Sequence, residues 1–216
     1  MQVLKPEIRL SILNSARTEF EKSGYGNSSM RGIASGAGIT MGNLYRYFPS
    51  KQDIFGAVVK PALEGMVGLV RHSHDDENAG GSAAWNTGGG GSSLMDLAAR
   101  LGEAVAETAL RYRTELRILL DGSRGTSFET AKETILSLFA EQAMEHIAEY
   151  GFDRGGPGGG HLARAMAASY MEGVLEILRA GKNGDAARKS ILEFNRLYWS
   201  GFISLFTPVG GQEAGA

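Results

Sequence analysis

Apolar residues recur along most of this chain with a helical period. Ile8, Ile12, Leu13, Ala16 and Phe20 share one face of a helix. Pro6 suits its first position, where the missing N–H costs nothing, and Gly24 supplies the stop. Two shorter patterns follow in residues 28–51, SSMRGIASGAGITMGNLYRYFPSK. Gly38 lies four residues after Ala34 and Leu44 ten, the spacing of two helices packed steeply across a tight corner, with a small residue where their backbones approach. Ser28 or Ser29 is placed to cap the first of them and Thr40 the second. Ile33, Ala34, Ile39, Leu44 and Phe48 then point inward. Thr40, Met41, Gly42, Asn43, Tyr45, Arg46 and Tyr47 remain outward, a polar and aromatic surface with one full positive charge. This is a helix-turn-helix, and such a surface suits a DNA major groove.

Beyond it, Ser50-Lys51-Gln52-Asp53 reads as a capping box that opens a fourth helix. Lys51 falls in the first turn, against the helix dipole, which is poor placement unless an anion such as a DNA phosphate lies nearby. Pro61 predicts a kink or a break near Lys60. Residues 72–93 lack periodicity, are dense in Gly, Ser and Asn, and predict a flexible segment carrying Trp85. The run His72 to Glu77 at its start reads as solvated polar chain, since metal ligands must be held in fixed geometry. Ser93 and Asp96 form a second capping box, with a helix to about Tyr112; a short helix is expected over Glu115 to Asp121. A third box, Thr126 to Glu129, predicts a long helix to about Tyr150. The Gly-rich tract 151–160 predicts a loop. It contains no GK[ST] and is not a phosphate-binding P-loop.

The last two helices are apolar over more than one face. Between His161 and Ala180 the band from Leu162 to Leu178 is too wide for one-sided burial, and the final helix, about Asp185 to Phe206, carries Leu197, Tyr198, Trp199, Phe202, Ile203, Leu205 and Phe206. Such helices must be covered on several sides, and a second subunit would supply the cover.

Ile33-Ala34, Ala37-Gly38-Ile39-Thr40, Gly42-Asn43-Leu44-Tyr45-Arg46-Tyr47-Phe48 and Lys51 resemble the DNA-binding signature of the TetR family of bacterial transcription regulators. The resemblance covers about the first 60 residues; the rest is similar to the family in size and helical content. It implies an all-α protein: an N-terminal three-helix helix-turn-helix domain, residues 1–50 with the motif at 29–48, joined by the fourth helix to a helical effector-binding and dimerisation domain, 51–216. It implies a repressor released from a palindromic operator by a small molecule, and a homodimer formed through the last two helices. Carried over by motif position, Thr40, Tyr45, Tyr47 and Lys51 contact phosphates, Met41, Gly42, Asn43 and Arg46 face or approach base edges, and Ser29 and Arg31 add backbone contacts. Met41 departs from the polar or basic residue common there; an apolar contact to a thymine methyl could stand in. Trp85, Tyr112, Phe139, Met144, Met166 and Tyr170 are the candidate lining of the effector pocket, in competition with a role as ordinary core.

Charge sharpens this picture. The 216 residues carry a net −2, yet residues 1–53 hold seven Lys/Arg against four Asp/Glu, net +3, leaving net −5 for the remainder. A positive end on an acidic body suits phosphate binding confined to one face. The chain has no Cys, which excludes disulfides, thiolate metal sites and a cysteine nucleophile and fits a reducing cytoplasm. MQVLKPEIRL lacks the apolar core of a signal peptide, and no apolar run approaches the roughly 20 residues of a membrane span, so a cytoplasmic protein without a membrane partner is expected. No paired nucleophile and base, metal-ligand spacing or cofactor glycine motif is present, so neither an enzyme nor a bound cofactor is expected. A DNA-coating or architectural protein using the same helix-turn-helix without an effector is the alternative.

Overall fold

The computed structural model describes residues 4–80, 94–149, 159–180 and 183–204. The described chain is all-α: α1 (Pro6–Asn27), α2 (Met30–Gly36), α3 (Met41–Tyr47), α4 (Lys51–Gly80), α5 (Leu94–Arg111), α6 (Arg113–Asp121), α7 (Ala131–Glu149), α8 (Gly159–Ala180) and α9 (Gly184–Ser204). They divide into two units. The first holds Met1–Val67 and Arg111–Ile135, the second Gly68–Leu110 and Leu136–Ala216.

In the first unit Pro6 opens α1, and Ile12, Leu13, Ala16 and Phe20 are its buried face. At Gly24 the backbone leaves the helix with φ 66°, so the expected stop is a sharp break with one more turn beyond it. Ile33 and Ala34 of α2, Leu44 of α3, Phe48, and Ile54, Phe55, Val58, Val59 and Ala62 of α4 complete the core, while Ile39 is only half-buried. The unit runs past residue 50. It includes the start of α4, and also α6 and the turns after it, which no local pattern could assign to it. Arg17 pairs with Glu115 at 2.5 Å and Arg117 with Glu21 at 2.8 Å, and the Tyr25 N–H donates to the Gly122 carbonyl at 3.0 Å. The Phe55 ring meets Phe20 edge-on at 5.1 Å and lies 6.0 Å from Phe128.

Three expectations are corrected here. The helix α4 runs on through Pro61, which excludes the break offered there beside a kink, and on through residues 72–80, where a flexible segment was expected. Extending a formed helix gains one hydrogen bond per residue fixed, which outweighs weak local propensity. Residues 81–93, with Trp85, lie outside the described residues, as does the capping residue Ser93. Secondly, α7 begins at Ala131 and not at Thr126. Thr126 Oγ1 accepts from the Phe128 N–H at 3.0 Å and the Glu129 carboxylate from the Gly125 N–H at 3.1 Å, so both side chains serve a turn. Thirdly, Gly159 and Gly160 belong to α8 and not to the preceding loop, whose residues 150–158 lie outside the described chain.

In the second unit α8 buries Ala163, Ala167, Tyr170, Met171, Val174, Leu175 and Leu178, consistent with its wide apolar band. Its Gly173 admits the ring of Phe194 from α9, which a Cβ placed there would overlap. Of the apolar residues expected to need cover on α9, Phe202 is buried and Tyr198, Trp199 and Ile203 are half-buried within the chain, while Leu205 and Phe206 lie outside the described residues. Leu197 stays 73% exposed.

Candidate nucleic-acid interface

The corner between α2 and α3 is a Schellman motif. Gly38 sits at φ 69°, its N–H donates to the Ser35 carbonyl at 3.1 Å, and the Ile39 N–H reaches the Ala34 carbonyl at 3.0 Å. A Cβ at Gly38 would meet nothing within 4 Å. Glycine is therefore required by the left-handed backbone and not, as its spacing suggested, by a close approach of the helices.

Both predicted caps form. Ser29 Oγ accepts from the Gly32 N–H at 2.9 Å and Thr40 Oγ1 from the Asn43 N–H at 3.2 Å. Ser50 and Asp53 complete the box at α4: the Ser50 hydroxyl donates to the carboxylate at 2.6 Å and accepts from the Asp53 N–H at 3.2 Å.

What seats α2 on α1 is a polar stripe that the motif does not include. Ser11 and Ser15 donate their hydroxyls to the Ala37 and Ile33 carbonyls at 3.1 and 2.8 Å, and Glu19 accepts the Ser29 N–H at 3.1 Å. The signal was present as Ser, Ser and Glu at steps of four beside the apolar face of α1. Gly36 leaves the room that Ser15 needs, and a Cβ on Gly32 would lie 2.6 Å from the Glu19 carboxylate.

Of the ten residues singled out for DNA, Ser29, Arg31, Thr40, Gly42, Tyr45 and Arg46 are exposed on the first unit, and Tyr45 is 49% exposed. Met41 and Asn43 are half-buried. Tyr47 is half-buried with its hydroxyl accepting the Lys5 N–H at 2.9 Å, which ties the end of α3 to the start of α1. Arg9 lies 5.3 Å from the Phe48 ring centre. Lys51, placed at a phosphate by motif position, is half-buried: Nζ donates to the Tyr25 and Ser28 carbonyls at 2.6 and 2.9 Å and lies 4.3 Å from the Tyr25 ring centre.

This three-helix arrangement can be compared with known proteins. Residues 12–58 match the family model of bacterial regulatory proteins, tetR family. Over these residues the chain is similar to the TetR family. The HTH-type transcriptional regulator UidR of Escherichia coli K12 is 36% identical over 71 residues, covering 33% of this chain. The chain spans 36% of that curated relative's length. The likeness to solved structures, which is one of fold, extends further. A regulator from Bordetella parapertussis aligns with TM-score 0.66 and 14% identity over 94% of this chain and 100% of its own. One from Rhodococcus sp. RHA1 aligns at 0.63 and 19%, over 94% and 99%. GusR of Salmonella enterica aligns at 0.55 and 16%, over 94% and 100%.

The effector-pocket candidates do not form one group. Tyr112 belongs to the first unit, while Phe139, Met144, Met166 and Tyr170 belong to the second. Met144 and Met166 pack against the buried pair Ala163 and Phe202. Tyr170 is buried, donates to Asn195 Oδ1 at 2.7 Å and stacks on Phe194 at 5.7 Å. An open groove of about 980 Å³ lies between α5 and α9, lined in part by Ala98, Glu103, Arg188, Leu192 and Asn195 and by none of these candidates. Among the described residues no helix is long and apolar enough to cross a membrane, and no group of three His, Asp or Glu side chains could hold a metal ion.

Proposed function

We propose that this chain is a cytoplasmic, sequence-specific DNA-binding transcription regulator that acts as a homodimer and represses from a palindromic operator until a small-molecule effector releases it. One observation carries the DNA reading: α3 is capped by Thr40, anchored behind by Leu44 and Phe48, and turns Gly42, Tyr45 and Arg46 to solvent. A capped helix with a fixed back and a polar, cationic front fits a major groove, where Arg can pair with guanine and Asn43 with adenine. Thr40 and Tyr45 are placed for phosphates, and Ser29 and Arg31 for backbone contacts from α2.

A homodimer through α8 and α9 would set two such helices about 34 Å apart, one turn of B-DNA. The exposure of Leu197 on α9 supports that interface. Effector binding is assigned to the second unit, near Phe139, Met144, Met166 and Tyr170.

The test is a binding titration against a duplex that the protein selects from a random library. Arg46→Ala should weaken the selected duplex more than random DNA, by about 1–3 kcal/mol for one lost base contact. Equal loss on both would remove the base-reading role. A wild-type protein that binds no duplex at low salt would remove the whole reading.

A further inference from the structure

The corner between α1 and α2 is held from three directions. The Tyr25 N–H donates to the Gly122 carbonyl at 3.0 Å, and the Ser29 N–H is taken by Glu19 at 3.1 Å. The third hold comes from Lys51, half-buried in the first turn of α4. Its ammonium faces the Tyr25 carbonyl at 2.6 Å, the Ser28 carbonyl at 2.9 Å and the Tyr25 ring at 4.3 Å. The chain breaks helical geometry at Gly24 just before this corner, so its carbonyls need partners from elsewhere. The Ser28 hydroxyl supplies one more, donating to the Tyr25 carbonyl at 2.8 Å.

A cation in the first turn of a helix is repelled by the helix dipole, and here two carbonyl oxygens and a ring face supply the compensating negative potential. An ammonium has three N–H bonds. With two of them on carbonyls and a ring beside it, a phosphate would have to compete for Lys51. The bonds to Tyr25 and Ser28 span 26 and 23 residues of sequence, so they close a loop that contains all of α2 and α3.

We infer that Lys51 is a positioning residue, pinning the Tyr25–Ser28 corner to the start of α4 and so setting how α3 is presented, with its ammonium held by dipoles of the protein and not by a DNA phosphate. This rests on the DNA-binding reading above, and its test has arms with and without DNA.

In the full chain, Lys51→Met is compared with wild type on random and library-selected duplexes, at a temperature where both are folded and over a range of salt. The slope of log affinity against log salt on random DNA should be unchanged, and preference for the selected duplex should fall about threefold or more. The DNA-free thermal midpoint should fall by at least about 2 °C. Tyr25→Leu, which keeps the cation and removes the ring, should lower the preference in the same direction. A slope smaller by about 0.9, the loss of one phosphate contact, with an unchanged midpoint and preference, would overturn the inference.

Amine acylation of the wild-type protein without DNA needs no variant to fold. Lys51 should label at least about tenfold more slowly than exposed Lys60, because it must first break free of its partners. Equal rates, with protection of Lys51 appearing only on adding duplex, would also overturn it. If wild type binds no DNA, the regulator reading fails while labelling and the thermal midpoint still decide the clamp.

Discussion

Gly102 of α5 leaves room for Asn195 of α9 and for nothing more: a Cβ on Gly102 would collide with the Asn195 amide and lie 2.6 Å from its Cγ. Asn195 is 3% exposed, donates Nδ2–H to the Ala98 carbonyl at 2.8 Å and accepts the Tyr170 hydroxyl at 2.7 Å. One side chain thus joins α5, α8 and α9. In an open helix Gly→Ala would stabilise by up to about 1 kcal/mol, whereas overpacking costs about 1–3 kcal/mol. The amide is anchored at both ends and cannot swing away, so Gly102→Ala should lose about 1–2 kcal/mol net in urea unfolding. A stabilised variant would show that α5 shifts freely.

Replacing Asn195 by Ala strands the buried Tyr170 hydroxyl and also removes the amide that meets Ala98. We expect a loss of about 2–3 kcal/mol, the range for leaving a buried polar group unpaired. Adding Tyr170→Phe should cost less in that background than in wild type, since the hydroxyl it deletes has already lost its acceptor. Strict additivity of the two would contradict the bond.

Burial, with the neighbouring Tyr198 adding to it, raises the Tyr170 phenol above its usual value of 10.0. Burial raises Tyr198 as well, against a hydrogen bond with Ser169 that pulls the other way. Both groups are therefore harder to ionise folded than unfolded. Their contribution is fully present below the unfolded value near 10 and is lost as pH rises through the folded values. The thermal midpoint should hold up to about pH 9.5 and fall beyond it, less steeply in Tyr170→Phe. An equal fall in both proteins would assign the effect elsewhere.

At Gly38 the two possible reasons for a glycine make different forecasts. If space decided, any side chain would be harmful. Because a Cβ there meets nothing while φ is 69°, Gly38→Ala should cost about 1–2 kcal/mol and Gly38→Asn clearly less, since Asn tolerates the left-handed region. Calorimetry on the two variants decides it.

Leu197 gives the proposed dimer a direct test. Leu197→Glu should shift sedimentation from dimer to monomer at micromolar concentration and leave helix content unchanged, since this side chain is 73% exposed in the subunit. A variant that still sediments as a dimer would place the subunit interface elsewhere.

Periodicity and capping chemistry were enough to locate α1, α2, α3 and the start of α4, because those signals lie within a few residues of the structure they specify. Ser29, Thr40 and the Ser50–Asp53 pair bond to N–H groups three residues away, and a local pattern can be read for a local bond. The stop at Gly24 and the turn at Gly38 were equally legible, although the reason for Gly38 was not: spacing shows that a glycine is wanted and cannot separate a positive φ from a shortage of space.

The long-range partners were out of reach of any such pattern. Lys51 meets Tyr25 across 26 residues, Glu21 meets Arg117 across 96 and Asn195 meets Ala98 across 97. A lysine in a motif has the same letter whether its ammonium faces a phosphate or two carbonyls, and only the folded chain brings those carbonyls within 3 Å. The same holds for α6, which the run of residues marks as a helix but whose packing on α1, with its ion pairs and a backbone bond nearby, joins segments far apart in the chain. Local bonding sets which residues are helical. The choice of what each helix packs against belongs to the burial of side chains far apart in the chain, and that is settled only when all of them close on one another.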